Sequence, residues 1–330
     1  MPPLDKTPPR SGESSVAWKS LVHRSVKAWH HPDQELITWA RDCLQTSTSL
    51  DEFLAEGSKP VVFWFFQRRE VFLSQKTIRK WSCDCLDDYI LLPALDGFVT
   101  RSECFFVSHF WQTKEHPDPS GDYLKPLQQD LRLQTWSYIW TDWTCLPQHP
   151  RRHIEELYFR QTLQTMSGII RNAGFVWYYP PFEARLWILY EVAEYMLTCS
   201  GEMLRTPDNE KFVSHVHEML QVGVRPTIQK HGYRSTYDGD MEFLTPWLEL
   251  LVLLTNLHVD IDDVRRLMSH ITWHSKTAAI WTNSMSGLIR LDRFEGELII
   301  NEEHYTFTPF PRLGEDQYSE SEMVGFDHKP

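Results

Sequence analysis

Between residues 104 and 199, three short apolar runs are each followed by a stretch of helical periodicity, and this alternation restricts the fold more than any other feature of the chain. Cys104-Phe-Phe-Val-Ser108 has the continuous apolar character of a strand covered on both faces. A proline-containing loop, Thr113 to Gly121, separates it from Tyr123 to Leu133, where Leu124, Leu127 and Leu131 fall on one helical face. Ser137 to Asp142 reads as a second strand running into a loop, Trp143 to Pro150, and Ile154 to Ile170 as one long amphipathic helix. Gly174-Phe-Val-Trp-Tyr-Tyr179 reads as a third strand ended by Pro180-Pro181, and Glu183 to Leu197 as a third helix. Such an order predicts an α/β fold with a parallel sheet and right-handed crossovers. In such a sheet ligands bind at the carboxyl ends of the strands, which places Ser108, His109, Asp142 and the loop around Cys145 on one rim.

The flanks divide the remaining chain. Residues 1–15 and 311–330 are rich in Pro, Gly, Ser and acidic residues and read as tails, the second acidic. Residues 16–100 form an N-terminal extension: helical periodicity over 16–56 with Asp33 as an N-cap, then Pro60-Val-Val-Phe-Trp-Phe-Phe66 as a buried strand. Residues 101–206 form the α/β core. Residues 207–310 read as mainly helical (Phe212–Leu220, Asp240–Leu257, Asp260–His270) with a hairpin over Leu298–Phe307.

Composition excludes several classes. With 42% hydrophobic and 13% aromatic residues, including 14 Trp, the 330-residue chain can offset its conformational entropy. A net charge of -12 argues against DNA or general phosphate-backbone binding as the global design. The stretches Gln67-Arg-Arg69 to Lys80 and Arg151-Arg-His153 are local exceptions, read either as solvated faces or as an RNA-contacting patch. No apolar run is long enough for a membrane span, and Trp247-Leu-Glu-Leu-Leu-Val-Leu-Leu reads as a buried helix. Six scattered cysteines without a secretory signal predict reduced thiols and a cytoplasmic location.

Four segments carry a resemblance: Phe105-Phe-Val-Ser-His-Phe-Trp111, His116-Pro-Asp-Pro-Ser-Gly121, Trp140-Thr-Asp-Trp-Thr-Cys-Leu-Pro-Gln148 and Arg185-Leu-Trp-Ile-Leu-Tyr-Glu191. Their order over residues 104–199 resembles the TIR/HET superfamily. That resemblance implies an open flavodoxin-like sheet. It also implies, from catalytic TIR proteins, a glutamate that contacts ribose hydroxyls while a nicotinamide glycosidic bond is cleaved, here Glu191. The chain is also similar in size and single-chain organisation to fungal arginine-containing cyclodipeptide synthases, which use aminoacyl-tRNAs; no motif carries that second likeness.

The residues allow more than one role. Glu191, flanked by Trp187 and Tyr190, suits a catalytic carboxyl whose apolar setting raises its pKa, or a partner of Arg185. Asp142 suits catalysis or loop shaping. Ser108 and His109, adjacent in a strand, point to opposite faces, against a simple Ser–His pair. Trp111, Gln148, Trp187, Glu194 and Cys145 complete the candidate substrate-binding set; Cys145 beside His149 suggests a nucleophile, against the commoner inert cysteine. Cys83-x-Cys85, the His270/His274 pair and the His215/His217 pair fall short of a zinc pattern, and neither a metal nor a cofactor is expected. Phosphate-loop, dinucleotide and nucleophile-elbow motifs are missing from the sequence.

Three functions remain. The acidic, proline-stiffened loop His116–Gly121 suits the phosphates of NAD poorly, which counts against a TIR-type NAD glycohydrolase. A HET- or TIR-type adaptor without catalysis would need an effector domain. The expectation is therefore a stand-alone biosynthetic enzyme, an aminoacyl-tRNA-dependent arginine-containing cyclodipeptide synthase. In it Asp142, Glu191 and Glu194 would hold a guanidinium, and a basic stretch the tRNA backbone.

Overall fold

The computed structural model describes residues 11–55, 61–179, 181–199, 203–235, 237–273, 278–284 and 287–312. Residues 1–10, most of the acidic tail, Pro60, Pro180 and His274 lie outside that set.

The central sheet has five strands: β1 (Phe63–Arg68), β2 (Tyr89–Pro93), β3 (Cys104–His109), β4 (Tyr138–Trp140) and β5 (Gly174–Tyr178), in the order β2-β1-β4-β3-β5. β3 lies between β4 and β5 and pairs in parallel with both, as the alternating pattern predicts. The sheet as a whole is mixed. β1 runs antiparallel to β4 and to β2, a strand with no counterpart in the sequence reading, through pairs such as Gln67↔Ile139 and Phe65↔Leu91. Continuous burial along β1 and β2 marks a covered position in a sheet without fixing strand direction.

Pleating of β3 sends Cys104 and Phe106 into the main core, where the Phe106 ring stacks on Trp140 and Phe175 at 5.0 and 5.7 Å. Phe105 and Val107 face a smaller cluster built on Leu124, Leu127 and Leu131 of the helix Leu124–Arg132. That smaller cluster is the helical face read from the leucine spacing. The long helix expected after β4 is two, His153–Thr165 and Ser167–Asn172, preceded by a short helix, Asp142–Cys145, inside the segment read as a loop. After β5 comes the helix Leu186–Thr198, called the site helix below.

At the N-terminal side Ser11–Ala28 is helical, so the helix takes in the end of the segment read as a tail. Asp33 caps Gln34–Gln45, accepting from the backbone N–H groups of Glu35 and Leu36 at 2.9 and 3.1 Å. Beyond residue 203 the helices Glu210–Val222, Asp238–Asn256 and Ile261–Trp273 pack over the site helix, and Val224–His231 packs on the first two of these. The apolar run from Trp247 lies in Asp238–Asn256, with Leu248, Leu250, Leu251 and Leu254 fully buried. Among the described residues no helix is long and apolar enough to cross a membrane.

The C-terminal region is mainly helical, and its strands, between residues 279 and 306, go beyond the single hairpin expected. They form a four-stranded antiparallel meander, of which the expected hairpin is only the last half, turning at Asn301 and Glu302 with φ of 49° and 73°. Its signal is alternation over Leu288 to Leu291: Leu288 is exposed while Ile289 and Leu291 are buried.

Candidate active site

The carboxyl ends of the three parallel strands converge on a small set of polar groups. Ser108 and His109 end β3 and, as their adjacency dictates, face opposite sides of the sheet. Ser108 lies on the Phe106 side, toward the site helix, and its Oγ donates a hydrogen bond to the Glu191 carboxyl. His109 lies on the other side, with Nε2 2.7 Å from Asp142 Oδ1.

Asp142 is where β4 gives way to its short helix. Thr141 caps that turn by accepting from the Thr144 backbone N–H at 3.3 Å, which fixes Asp142 as the first helical residue. Its Oδ1 also accepts from the Trp143 backbone N–H at 2.6 Å, and its Oδ2 from Trp111 Nε1 at 2.9 Å. Gln148 folds back to donate to the carbonyl oxygens of Asp142 at 2.7 Å and Leu146 at 3.1 Å. Asp142, Trp111, His109 and Gln148 thus form one buried-edge network that holds the rim in shape.

Glu191 is half-buried on a helix whose neighbouring positions Ile188, Leu189, Tyr190 and Val192 are buried. Burial pushes its carboxyl up to about 8; the negative charge of Asp142 adds to this, and the Ser108 hydrogen bond opposes it. Arg185 is not its partner, since that guanidinium pairs with Glu183 at 3.2 Å and covers the Phe110 ring. A buried hydroxyl thus meets a carboxyl whose proton is held more tightly than usual, at the carboxyl end of a parallel strand, a pairing that general chemistry allows to act as nucleophile and base.

Three candidates lie elsewhere. Glu194 is fully buried, paired with Arg171 at 2.5 Å and accepting from Trp247 Nε1 at 2.6 Å, so it is not a rim acid. Cys145 is fully buried, its Sγ directed at the Ile139 carbonyl, and burial pushes the thiol up to about 12, which removes it as a nucleophile or ligand contact. Trp187 ties the site helix to Asp240 through Nε1 at 2.9 Å. The structure therefore brings Ser108 and Glu191 together on one face of the strand ends and His109, Trp111, Asp142 and Gln148 together on the other, and it places Trp187, Glu194 and Cys145 in other contacts.

Tyr179 was missed. It follows β5 and is 1% exposed, its ring against Phe212 at 5.2 Å. Its position just before the Pro pair, at the level of Ser108 and Asp142, was the available signal.

Among the described residues no group of three or more His, Cys, Asp and Glu side chains is placed to hold a metal. His215 stacks on His231 at 3.6 Å. The basic stretches are largely compensated: Arg68 pairs with Glu70, Arg79 with Asp88, Arg151 with Glu156 and Arg152 with Asp51. Arg69 instead donates to the Trp136 and Arg132 carbonyls, and Lys80 to the His149 carbonyl.

Fold and site together define a mixed α/β protein with a serine–glutamate pair at the carboxyl ends of its parallel strands. No protein-family model, no curated protein and no solved structure matches the chain.

Proposed function

We propose that this chain is an acyltransferase in which Ser108 is the nucleophile and Glu191 its base, and that its acyl donors are aminoacyl-tRNAs joined into a cyclic dipeptide. The hydrogen bond from Ser108 to Glu191 carries the proposal. Cleavage of a glycosidic bond has no need of a serine in that position, whereas transfer of an ester-bound acyl group uses one directly.

In the carboxylate form Glu191 takes the Ser108 proton as Oγ bonds to the ester carbonyl carbon. The bond to the ribose oxygen breaks, and Glu191 returns the proton to that oxygen. The amine of a second aminoacyl-tRNA then attacks the Ser108 ester, forming a dipeptidyl-tRNA and freeing the hydroxyl. Attack of the terminal amine on the remaining ester closes the ring and releases the tRNA. Asp142 fixes the rim and, through its charge, helps keep the Glu191 proton near neutrality.

The core is read as TIR-like, supported by the β4-β3-β5 order with the first strand of the alternation in the middle. Arginine as one building block rests on overall likeness to the fungal synthases: Glu194 is consumed by Arg171, and the oxygens of Asp142 already accept from three groups. Arg69 and Lys80, which have no carboxylate within ion-pair distance among the described residues, are the cations best suited to an RNA backbone. The test is incubation of the pure protein with charged tRNA pools and, separately, with NAD. Cyclic dipeptide by mass spectrometry is the expected result, and nicotinamide release without peptide would replace the acyl-transfer reading with NAD cleavage.

A further inference from the structure

The Tyr179 hydroxyl is buried and has no hydrogen-bond partner among the described residues. Buried tyrosine hydroxyls are rarely left so, because desolvation of an unpaired O–H is costly. Its location gives the vacancy a meaning. Ser108 is in register with Trp177, and the Phe106–Phe175 ring stack two residues earlier confirms that paired side chains share a face. Tyr179, two residues beyond Trp177, continues that face past the strand end, the face on which Ser108 meets Glu191. Both groups bear on the phenol: burial is the main reason its proton is held well above the ordinary tyrosine range, the Glu191 charge adds to this, and the nearby Ser108 hydroxyl opposes it. The hydroxyl therefore stays protonated and is available as a donor.

We propose that Tyr179 is a catalytic residue that donates a hydrogen bond to the acyl carbonyl oxygen of the substrate as Ser108 attacks it. This rests on the acyl-transfer reading of the Ser108–Glu191 pair. When Oγ bonds to the carbonyl carbon, the π electrons move onto oxygen, and a fixed donor beside that oxygen stabilises the charge without having to reorganise. The ring is held by Phe212 and by burial, so the donor is positioned before substrate arrives.

The test uses the full chain and p-nitrophenyl acetate, whose acetyl group passes to Ser108 with release of p-nitrophenolate. The labelled serine is located by peptide mass, and Ser108→Ala serves as the blank. Tyr179→Phe removes the hydroxyl and keeps the ring. The expected result is acetylation about 10²-fold slower with a melting temperature equal to or above that of the wild type, since an unpartnered polar atom has been deleted. Equal acetylation rates in wild type and Tyr179→Phe would overturn the role of Tyr179 and leave Ser108 standing. A slower rate accompanied by a lower melting temperature would make the hydroxyl a structural anchor and also overturn it. No acetyl group on Ser108 in the wild type would remove the acyl-transfer reading, and this assignment with it.

Discussion

The Ser108 hydroxyl and the Glu191 carboxyl meet across the carboxyl end of β3, joining the central strand to the site helix by one hydrogen bond between residues 83 positions apart. Burial and the Asp142 charge together hold the carboxyl at about 8, so at neutral pH most of it carries a proton. Only the minority carboxylate form can act as a base.

The rate of acyl transfer should therefore rise with pH on a single limb centred near 8 and level off above it. A pH profile of kcat/KM tests this directly. Glu191→Gln should lower the rate by about 10² to 10⁴-fold and abolish the limb; a limb of the same midpoint in the glutamine variant would assign it to another group.

Stability should shift in the opposite sense. Glu191 binds its proton more tightly folded than unfolded, so between about 4.5, the unfolded value, and about 8 the native state holds one proton more than the unfolded chain. Stability then falls as pH rises through that window. At pH 9 Glu191→Gln should melt higher than wild type, by a few degrees in a chain of this size, and the gain should shrink toward pH 5. Thermal melts of both proteins at the two pH values measure it.

Arg171 and Glu194 form a fully buried pair whose other contacts, Thr272 and Trp247, belong to the C-terminal helices. Glu194→Ala leaves a buried guanidinium without its counter-charge and should cost about 3–5 kcal/mol. Urea denaturation would show a lowered midpoint; an unchanged midpoint would contradict the buried pairing.

Much of this arrangement was legible in the sequence, and what was not had a physical reason. β3 was readable because a strand covered on both faces is apolar throughout, β5 by its aromatic run although it is a half-buried edge strand, and adjacency alone separated Ser108 from His109. The antiparallel entry of β1 was not, since direction is decided by pairing with β2 and β4 rather than by local pattern. Glu191 and Glu194 look alike from a helix three residues apart. Which of them meets Ser108 depends on Arg171 and Trp247, which take up Glu194 from 23 and 53 residues away, beyond the reach of periodicity. The meander after Ala279 was obscured because its strands are short and each buries only one face.

Cys145 provides a check on the rim. Its buried thiol, raised to about 12, should resist iodoacetamide at pH 8, while the exposed Cys83 is alkylated. Peptide mass mapping distinguishes them, and rapid Cys145 labelling in the folded protein would mean that the rim opens far more than its packing allows.

The most direct measurement of the central claim is to mix the protein with arginyl-tRNA alone, quench with acid and map the peptides by mass. An arginyl group on the peptide containing Ser108, absent in Ser108→Ala and strongly reduced in Glu191→Gln, is the predicted result. An unmodified Ser108 in a protein that still forms cyclic dipeptide from charged tRNA, with Ser108→Ala equally active, would contradict it.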